Sequence, residues 1–160
     1  MQWRQLATDL GFVPVNGQVF NGGDNARAAI AVLLGDDVLR DAVDSWVDRD
    51  PGAELADSVL SILKPAAARE HCLQIVRRDP DSSRRQFAAA LFTDMATEDD
   101  LPVVEELLVH PDPDVQVWAI ALLRMLAYDD ETLPAGPYGL MMREHANPRV
   151  RAAYTDQFDL

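Results

Sequence analysis

The sequence predicts an all-α protein, a right-handed α-solenoid of about four helix pairs behind an irregular N-terminal cap. The first observation is a helix-start dipeptide that occurs four times, as Asp50-Pro51, Asp79-Pro80, Asp112-Pro113 and Asn147-Pro148. Asp and Asn cap exposed N–H groups, and proline suits the first helical turn. The second observation is their spacing of 29, 33 and 35 residues. Regular spacing of this length is typical of stacked helix pairs.

The composition is that of a soluble globular protein. The chain has 160 residues, 48% of them apolar and 26% charged, which suits one domain with a substantial core. The formal net charge of −13 argues against a nucleic-acid binder and against adsorption to an anionic membrane. It favours attraction to a basic partner. Because we find neither a signal-peptide pattern nor a membrane-length apolar run, the expected compartment is the cytoplasm.

The N-terminal segment is the least regular part of the predicted fold. Residues 2–10 have the periodicity of a short helix, with apolar side chains on one side. Residues 12–25 contain Asn16-Gly17, a dipeptide favoured in tight hairpin turns. We therefore predict a single domain over residues 1–160, in which residues 1–24 form a cap or loop and residues 25–157 carry the helical repeats.

Apolar residues at helical spacing predict the elements of the repeats. The expected helices cover about residues 25–34, 37–49, 51–63, 66–78, 80–95, 99–109, 113–126, 137–146 and 148–156. Gly35 and Pro65 separate neighbouring helices because glycine and proline disfavour helix interiors. The lone cysteine, Cys72, lies on the apolar side of its helix, which predicts a buried structural thiol.

Two of the repeat starts carry a family resemblance. The segment Asp112 to Leu123, DPDVQVWAIALL, resembles the first helix of a HEAT-like repeat, and NPRVRAA at residues 147–153 matches the same opening. The short period is similar to that of the phycobilisome-lyase-like class. The resemblance covers about residues 24–157 and implies a solenoid of HEAT-like helix pairs. It says little about function, because such repeats serve as scaffolds, lyase subunits, DNA-repair proteins and inhibitors.

Charge segregation is the strongest indication of function. Between Asp94 and Glu131 there are eleven acidic residues against one basic residue, Arg124. Turns line up along one edge of a solenoid, so acids of neighbouring turns are expected to form one ridge. The alternative is a solvated surface whose acids are favoured by helix dipoles. The predicted partner-binding residues are Asp94, Glu98, Asp99, Asp100, Glu105, Glu106, Tyr128, Asp129, Asp130 and Glu131.

Aromatic residues concentrate at interface hot spots, so the candidate anchors for the same partner are Trp46, Trp118, Tyr128 and Tyr138. Tyr128 lies beside the acidic turn and is the exposed candidate. Trp46 and Trp118 fall on apolar stripes and are expected in the core.

The sequence therefore predicts a protein–protein interaction module for a basic protein, rather than an enzyme. Size, acidity and the lack of catalytic motifs are similar to those of bacterial immunity proteins, some of which use helical-repeat folds, although no immunity-specific motif is matched. Neutralisation of a bacterial toxin is thus the specific form of the hypothesis. We expect no cofactor, no metal, no nucleic acid and no membrane partner.

The alternative hypothesis is a HEAT-like enzyme or lyase-type subunit that handles a cofactor or metal. Glu70-His71 and Glu144-His145 reverse the order of the His-Glu pairs of HEAT-like di-iron hydroxylases, and two such pairs are a poor metal signature. His110 and His145 precede repeat prolines, and we expect them to interact with the C-terminal dipoles of helices. A HEAT-like DNA-repair protein is a third option, which the negative charge disfavours.

Overall fold

A computed structural model describes residues 23–127 and 132–158 of the chain. This part is all-helical, as predicted, and contains no strand. The helix predicted at residues 2–10 and the hairpin near Asn16 lie outside the described residues. None of the helices in the described part is long and apolar enough to cross a membrane.

Nine α-helices and two 3-10 helices make up the described residues. The α-helices are α1 Gly23–Leu34, α2 Asp36–Val47, α3 Ala53–Leu63, α4 Ala66–Arg78, α5 Ser82–Met95, α6 Val103–Leu108, α7 Pro113–Leu126, α8 Pro137–Arg143 and α9 Pro148–Phe158. The 3-10 helices, Glu98–Asp100 and Leu133–Ala135, precede α6 and α8. The helices predicted from periodicity are therefore confirmed, with shifts of a few residues at their ends.

The chain divides into two compact units, residues 1–68 and 69–160, and the division falls within α4. The prediction of a single domain over residues 1–160 stays a prediction. Cys72 is fully buried, as predicted, and belongs to the second unit.

Two of the four repeat starts have the predicted cap. Asp112 is the N-cap of α7 and Pro113 is its first residue, and the Asn147 side chain accepts a hydrogen bond from the Arg149 N–H at 2.9 Å. The prediction is wrong at the two earlier steps. At Asp50-Pro51 the N-cap is Gly52, in a left-handed conformation with φ 101°.

At Asp79-Pro80 the helix also starts later than predicted, because the Asp79 side chain first closes a turn with the backbone. The Asp79 carboxylate accepts a hydrogen bond from the Asp81 N–H at 2.9 Å. Asp81 is then the N-cap of α5 and accepts from the N–H groups of Ser83 and Arg84. The N-cap of α5 is therefore Asp81, two positions after the predicted Asp79.

In the first unit, α1, α2 and α3 pack on one another. Leu39, Val43 and Val47 of α2 are buried, and so is Leu60 of α3. Val38 of α2 and Leu55 of α3 are also apolar, but they are 53% and 70% exposed. Val38 is one position from Leu39 and therefore about 100° further around the helix, at the border of the packed face.

In the second unit, alternate helices contact each other. α7 packs against α5 on one side and α9 on the other, and α6 packs against both α7 and α8. The core is apolar and tightly closed, since Phe92, Leu107, Leu122 and Met142 have no accessible surface.

The approach of α8 to the turn before it depends on a glycine. A Cβ on Gly139 would lie 1.6 Å from the backbone oxygen of Pro134 and 2.9 Å from the Tyr154 hydroxyl. That hydroxyl donates a hydrogen bond to the same Pro134 oxygen at 2.7 Å. Gly139 is therefore required by backbone contact rather than by its own conformation.

We expect Gly139→Ala to lower the free energy of unfolding by about 2 kcal/mol or more, because a rigid backbone oxygen must move to admit the methyl group. Chemical denaturation measures the change. Gly23→Ala is the control, since a Cβ there meets no heavy atom within 4 Å. Equal stabilities of the two variants would contradict the close contact.

Candidate functional site

Six of the ten predicted partner-binding residues are described, and they lie around the connection from α5 to α6. Asp94 is near the end of α5, Glu98, Asp99 and Asp100 form the 3-10 helix, and Glu105 and Glu106 belong to α6. Four of the predicted site residues lie outside the described residues. These are Tyr128, Asp129, Asp130 and Glu131.

Asp100 holds the 3-10 helix together. Its carboxylate accepts hydrogen bonds from the Thr97 N–H at 2.8 Å and the Thr97 hydroxyl at 3.0 Å, a capping box. It also forms an ion pair with Arg69, and its side chain is only 16% exposed. The charge of Asp100 is therefore largely used within the fold.

Glu106 forms a bidentate ion pair with Arg77 of α4. The Arg77 guanidinium donates from Nε to Oε1 at 2.6 Å and from Nη2 to Oε2 at 2.7 Å. The hydrogen bond to Glu106 raises the pKa of Arg77 above its usual value. Planar pairing of this kind fixes geometry as well as charge. Glu106 thus has a partner inside the second unit.

The carboxylates of Glu98, Asp99 and Glu105 have no hydrogen-bond or ion-pair partner among the described residues. All three residues are exposed, and they lie on the 3-10 helix and α6. We call these three residues the acidic surface. Their oxygens are available to accept hydrogen bonds from lysine or arginine. Asp94 is also exposed, but it has a contact within the chain.

The sequence pattern did not show which acids pair with an arginine and which stay unpaired. Arg69 and Arg77 are about 30 residues away from Asp100 and Glu106 along the chain. A local signal existed only for Asp100, because Thr97 and Asp100 have the spacing of a capping box.

His110 and His145 make the same pair of contacts before α7 and before α9. The Nδ1 of His110 accepts from the Asp112 N–H at 3.1 Å, and its Nε2 lies 3.0 Å from the Val76 carbonyl oxygen. The Nδ1 of His145 accepts from the Asn147 N–H at 3.1 Å, and its Nε2 lies 2.9 Å from the Leu108 carbonyl oxygen. Since Nδ1 is the acceptor, the proton must be on Nε2, which donates to the carbonyl.

These two histidines therefore tie the start of α7 and of α9 to earlier helices. Val76 belongs to α4 and Leu108 to α6. Both ring nitrogens of each histidine are occupied by backbone groups, which leaves no lone pair for a metal. Among residues 23–127 and 132–158, no three side chains of His, Cys, Asp or Glu are placed to hold a metal ion.

Asp112 is the buried carboxylate of the second unit. It accepts from the Ser82 hydroxyl at 2.6 Å and from Nε of Arg85 at 3.1 Å, and its side chain is 7% exposed. Arg85 also donates to the Asp79 carbonyl at 2.7 Å. The start of α7 is thus anchored to the start of α5.

Opposing effects set the pKa of Asp112. Burial disfavours the charged form and acts to raise the pKa. Hydrogen bonds from Ser82, Arg85 and the Asp114 N–H, together with the charge of Arg85, outweigh burial and lower the pKa from 3.8 to about 2. The carboxylate therefore stabilises the fold in its ionised form.

The start of α9 is held by related contacts. The Asn147 amide donates to the Pro113 carbonyl at 3.0 Å and to Oε1 of Gln116 at 2.9 Å. Arg149 forms an ion pair with Asp114. Polar contacts thus connect α9 to α7, beside the apolar contacts between the same helices.

Comparisons of the chain with protein-family models, with curated proteins and with solved structures find no match.

We expect Asp112→Asn to be destabilising at neutral pH, by an amount that shrinks in acid. The pKa of Asp112 is lower in the folded state, so its stabilisation is fully present above the unfolded pKa near 3.8 and is lost as the pH falls towards 2. The difference in unfolding free energy between wild type and variant should fall by about 2 kcal/mol between pH 5 and pH 2.

Denaturation of both proteins across this pH range measures the effect of Asp112. Asp99→Asn is the matched control, because Asp99 is exposed and has no partner among the described residues. A difference between wild type and Asp112→Asn that does not change with pH would contradict the assignment.

We expect the neutral rings of His110 and His145 to carry their proton on Nε2, because each Nδ1 accepts from a backbone N–H. Long-range ¹H–¹⁵N correlation spectra distinguish the two tautomers. Substitution of either residue by Ala should lower the free energy of unfolding by about 1–3 kcal/mol, since backbone groups lose their partners. An Nδ1-protonated ring, or an unchanged stability, would contradict these contacts.

Proposed function

We propose that the protein is a protein-binding module whose acidic surface, Glu98, Asp99 and Glu105, binds a basic protein partner. One observation carries the proposal. These three carboxylates are exposed without a partner among the described residues, while Asp100, Glu106, Asp112 and Asp114 of the same unit are each paired with an arginine. Unpaired charges of one sign attract a partner of the opposite sign and accelerate association.

The way these residues are held supports the same proposal. The 3-10 helix that carries Glu98 and Asp99 is closed by the Thr97–Asp100 capping box. Glu105 follows on α6, where the neighbouring Glu106 is fixed to Arg77. A surface held in place loses little conformational entropy when a partner binds.

We further propose that the helices of the second unit stack as HEAT-like pairs. The contacts of α7 with α5 and α9, and of α6 with α8, support this arrangement. So do the matching positions of His110 and His145 at successive repeat starts. In such a stack each repeat contributes loops to one edge, which suits the presentation of an extended surface.

Within this proposal, the partner is a basic enzyme such as a bacterial toxin, and the carboxylates cover its basic groove, as in an immunity protein. Charge complementarity supports the immunity-protein form of the proposal, because a positively charged groove would face the unpaired carboxylates. An inhibitor of this kind needs a prearranged surface and no catalytic group of its own.

We expect the variant Glu98→Lys, Asp99→Lys, Glu105→Lys to lose the basic partner. Affinity capture from a cell lysate at low and at high salt, followed by mass spectrometry, identifies what wild type retains. Binding of the purified partner is then measured by calorimetry. The triple reversal should weaken it at least about tenfold at low salt, because three attractive charges become repulsive.

The control variant is Asp41→Lys, Glu144→Lys, Asp156→Lys, which changes the net charge equally at exposed residues that are not members of the acidic surface. It should retain the partner. Equal binding by both triple variants, or the absence of any basic protein among those retained by wild type, would refute the proposal.

A further inference from the structure

The 3-10 helix Glu98–Asp100 carries two of the three residues of the acidic surface, yet it has little support of its own. The Asp100 N–H donates to the Thr97 carbonyl at 2.9 Å, and the Leu101 N–H donates to the Glu98 carbonyl at 3.3 Å. None of its three residues is buried. A single helical turn is not stable by itself, because few hydrogen bonds repay the cost of fixing its backbone. The turn must therefore be held by contacts from outside it.

Arg69 of α4 supplies such contacts from within the second unit. Its Nη1 donates to the Thr97 hydroxyl at 2.8 Å and forms an ion pair with the Asp100 carboxylate. The same carboxylate accepts from the Thr97 N–H and hydroxyl. One guanidinium nitrogen thus contacts both residues of the capping box, the N-cap and the last residue of the turn.

The burial of Arg69 distinguishes it from the other arginine of α4 that pairs with this region. The Arg69 side chain is 20% exposed, whereas that of Arg77 is 46% exposed. Nε of Arg69 is buried and has no acceptor among the described residues, which opposes burial of the side chain. The contacts with Thr97 and Asp100 offset this cost. Because they are partly shielded from solvent, they are also less screened than a surface ion pair.

We infer that Arg69 is the positioning residue of the acidic surface. This role rests on the proposed function and deepens it, because it names the group that keeps Glu98 and Asp99 in the arrangement that a partner meets. When Arg69 is removed, the 3-10 helix opens and the two carboxylates lose their fixed positions. A basic partner must then order them as it binds, which weakens binding.

Charge alone predicts the opposite result. Loss of Arg69 frees Asp100 from its cation and makes the protein more negative, so attraction to a basic partner should rise. Arg78 provides a charge-matched comparison, since it is exposed and has no partner among the described residues. Arg69→Gln and Arg78→Gln change the net charge equally, but only Arg69→Gln removes the contact with the 3-10 helix.

Amide hydrogen exchange of the whole protein tests the positioning role without any partner. Arg69→Gln should speed exchange of the Asp100 and Leu101 amides at least about tenfold, because the hydrogen bonds that close the turn open. Amides in the middle of α7 should keep wild-type rates, and Arg78→Gln should change neither set. Asp100→Asn, which removes the acceptor of the ion pair, should act as Arg69→Gln does. Arg69→Lys should restore most of the protection, since Nη1 alone makes both contacts and an ammonium group can replace it.

Binding is measured at low salt with a capped, alanine-rich helical peptide that carries three lysines at i, i+4 and i+8. The amide signals of Glu98, Asp99 and Glu105 report on its binding. Arg69→Gln should bind this peptide at least about threefold more weakly than Arg78→Gln does.

The positioning role is overturned if the Asp100 and Leu101 amides stay protected in Arg69→Gln and Asp100→Asn, if exchange rises equally in α7, or if the two arginine variants bind the peptide equally. A different result concerns the proposed function. Fast exchange in Arg69→Gln, combined with no basic protein captured by wild type, would support the positioning of the 3-10 helix and refute the protein-binding module.

Discussion

The second unit depends on polar contacts between the starts of α7 and α9 and the helices before them. Apolar contacts are not directional, so buried side chains alone leave neighbouring helices free to slide. Hydrogen bonds have a narrow range of distance and angle. His110, His145 and Asp112 supply such bonds to the carbonyls of Val76 and Leu108 and to Ser82 and Arg85. They fix the register in which the apolar faces meet.

This register also decides what the acidic residues do. Asp112 is buried and bonded, and Asp100 and Glu106 are paired with arginines of α4. Only Glu98, Asp99 and Glu105 stay exposed without a partner in the described part of this region. The count of eleven acidic residues between Asp94 and Glu131 therefore overstates the number of unpaired carboxylates that a partner would meet. Position, rather than the number of acids, distinguishes a recognition surface from a structural network.

The proposed acidic surface would act mainly through charge. Exposed carboxylates act over a distance, raise the rate of encounter and are screened by salt. The 3-10 helix that carries Glu98 and Asp99 is closed by a capping box, so the local fold holds these two residues in place.

The sequence by itself determined the all-helical character of the described chain and most helix spans, including α4 and α7, because periodicity and proline act within one or two helical turns. Tertiary structure decided which acids are paired, since Arg69 and Arg77 reach them from about 30 residues away. The caps at Asp50 and Asp79 moved for a local reason, because Gly52 and Asp81 lie two positions along and take the N-cap position. Packing, by contrast, left Trp46, which was expected in the core, with a buried donor that has no acceptor among the described residues. The pairing of the acids and the surroundings of Trp46 depend on which faces meet in space, which a local pattern does not specify.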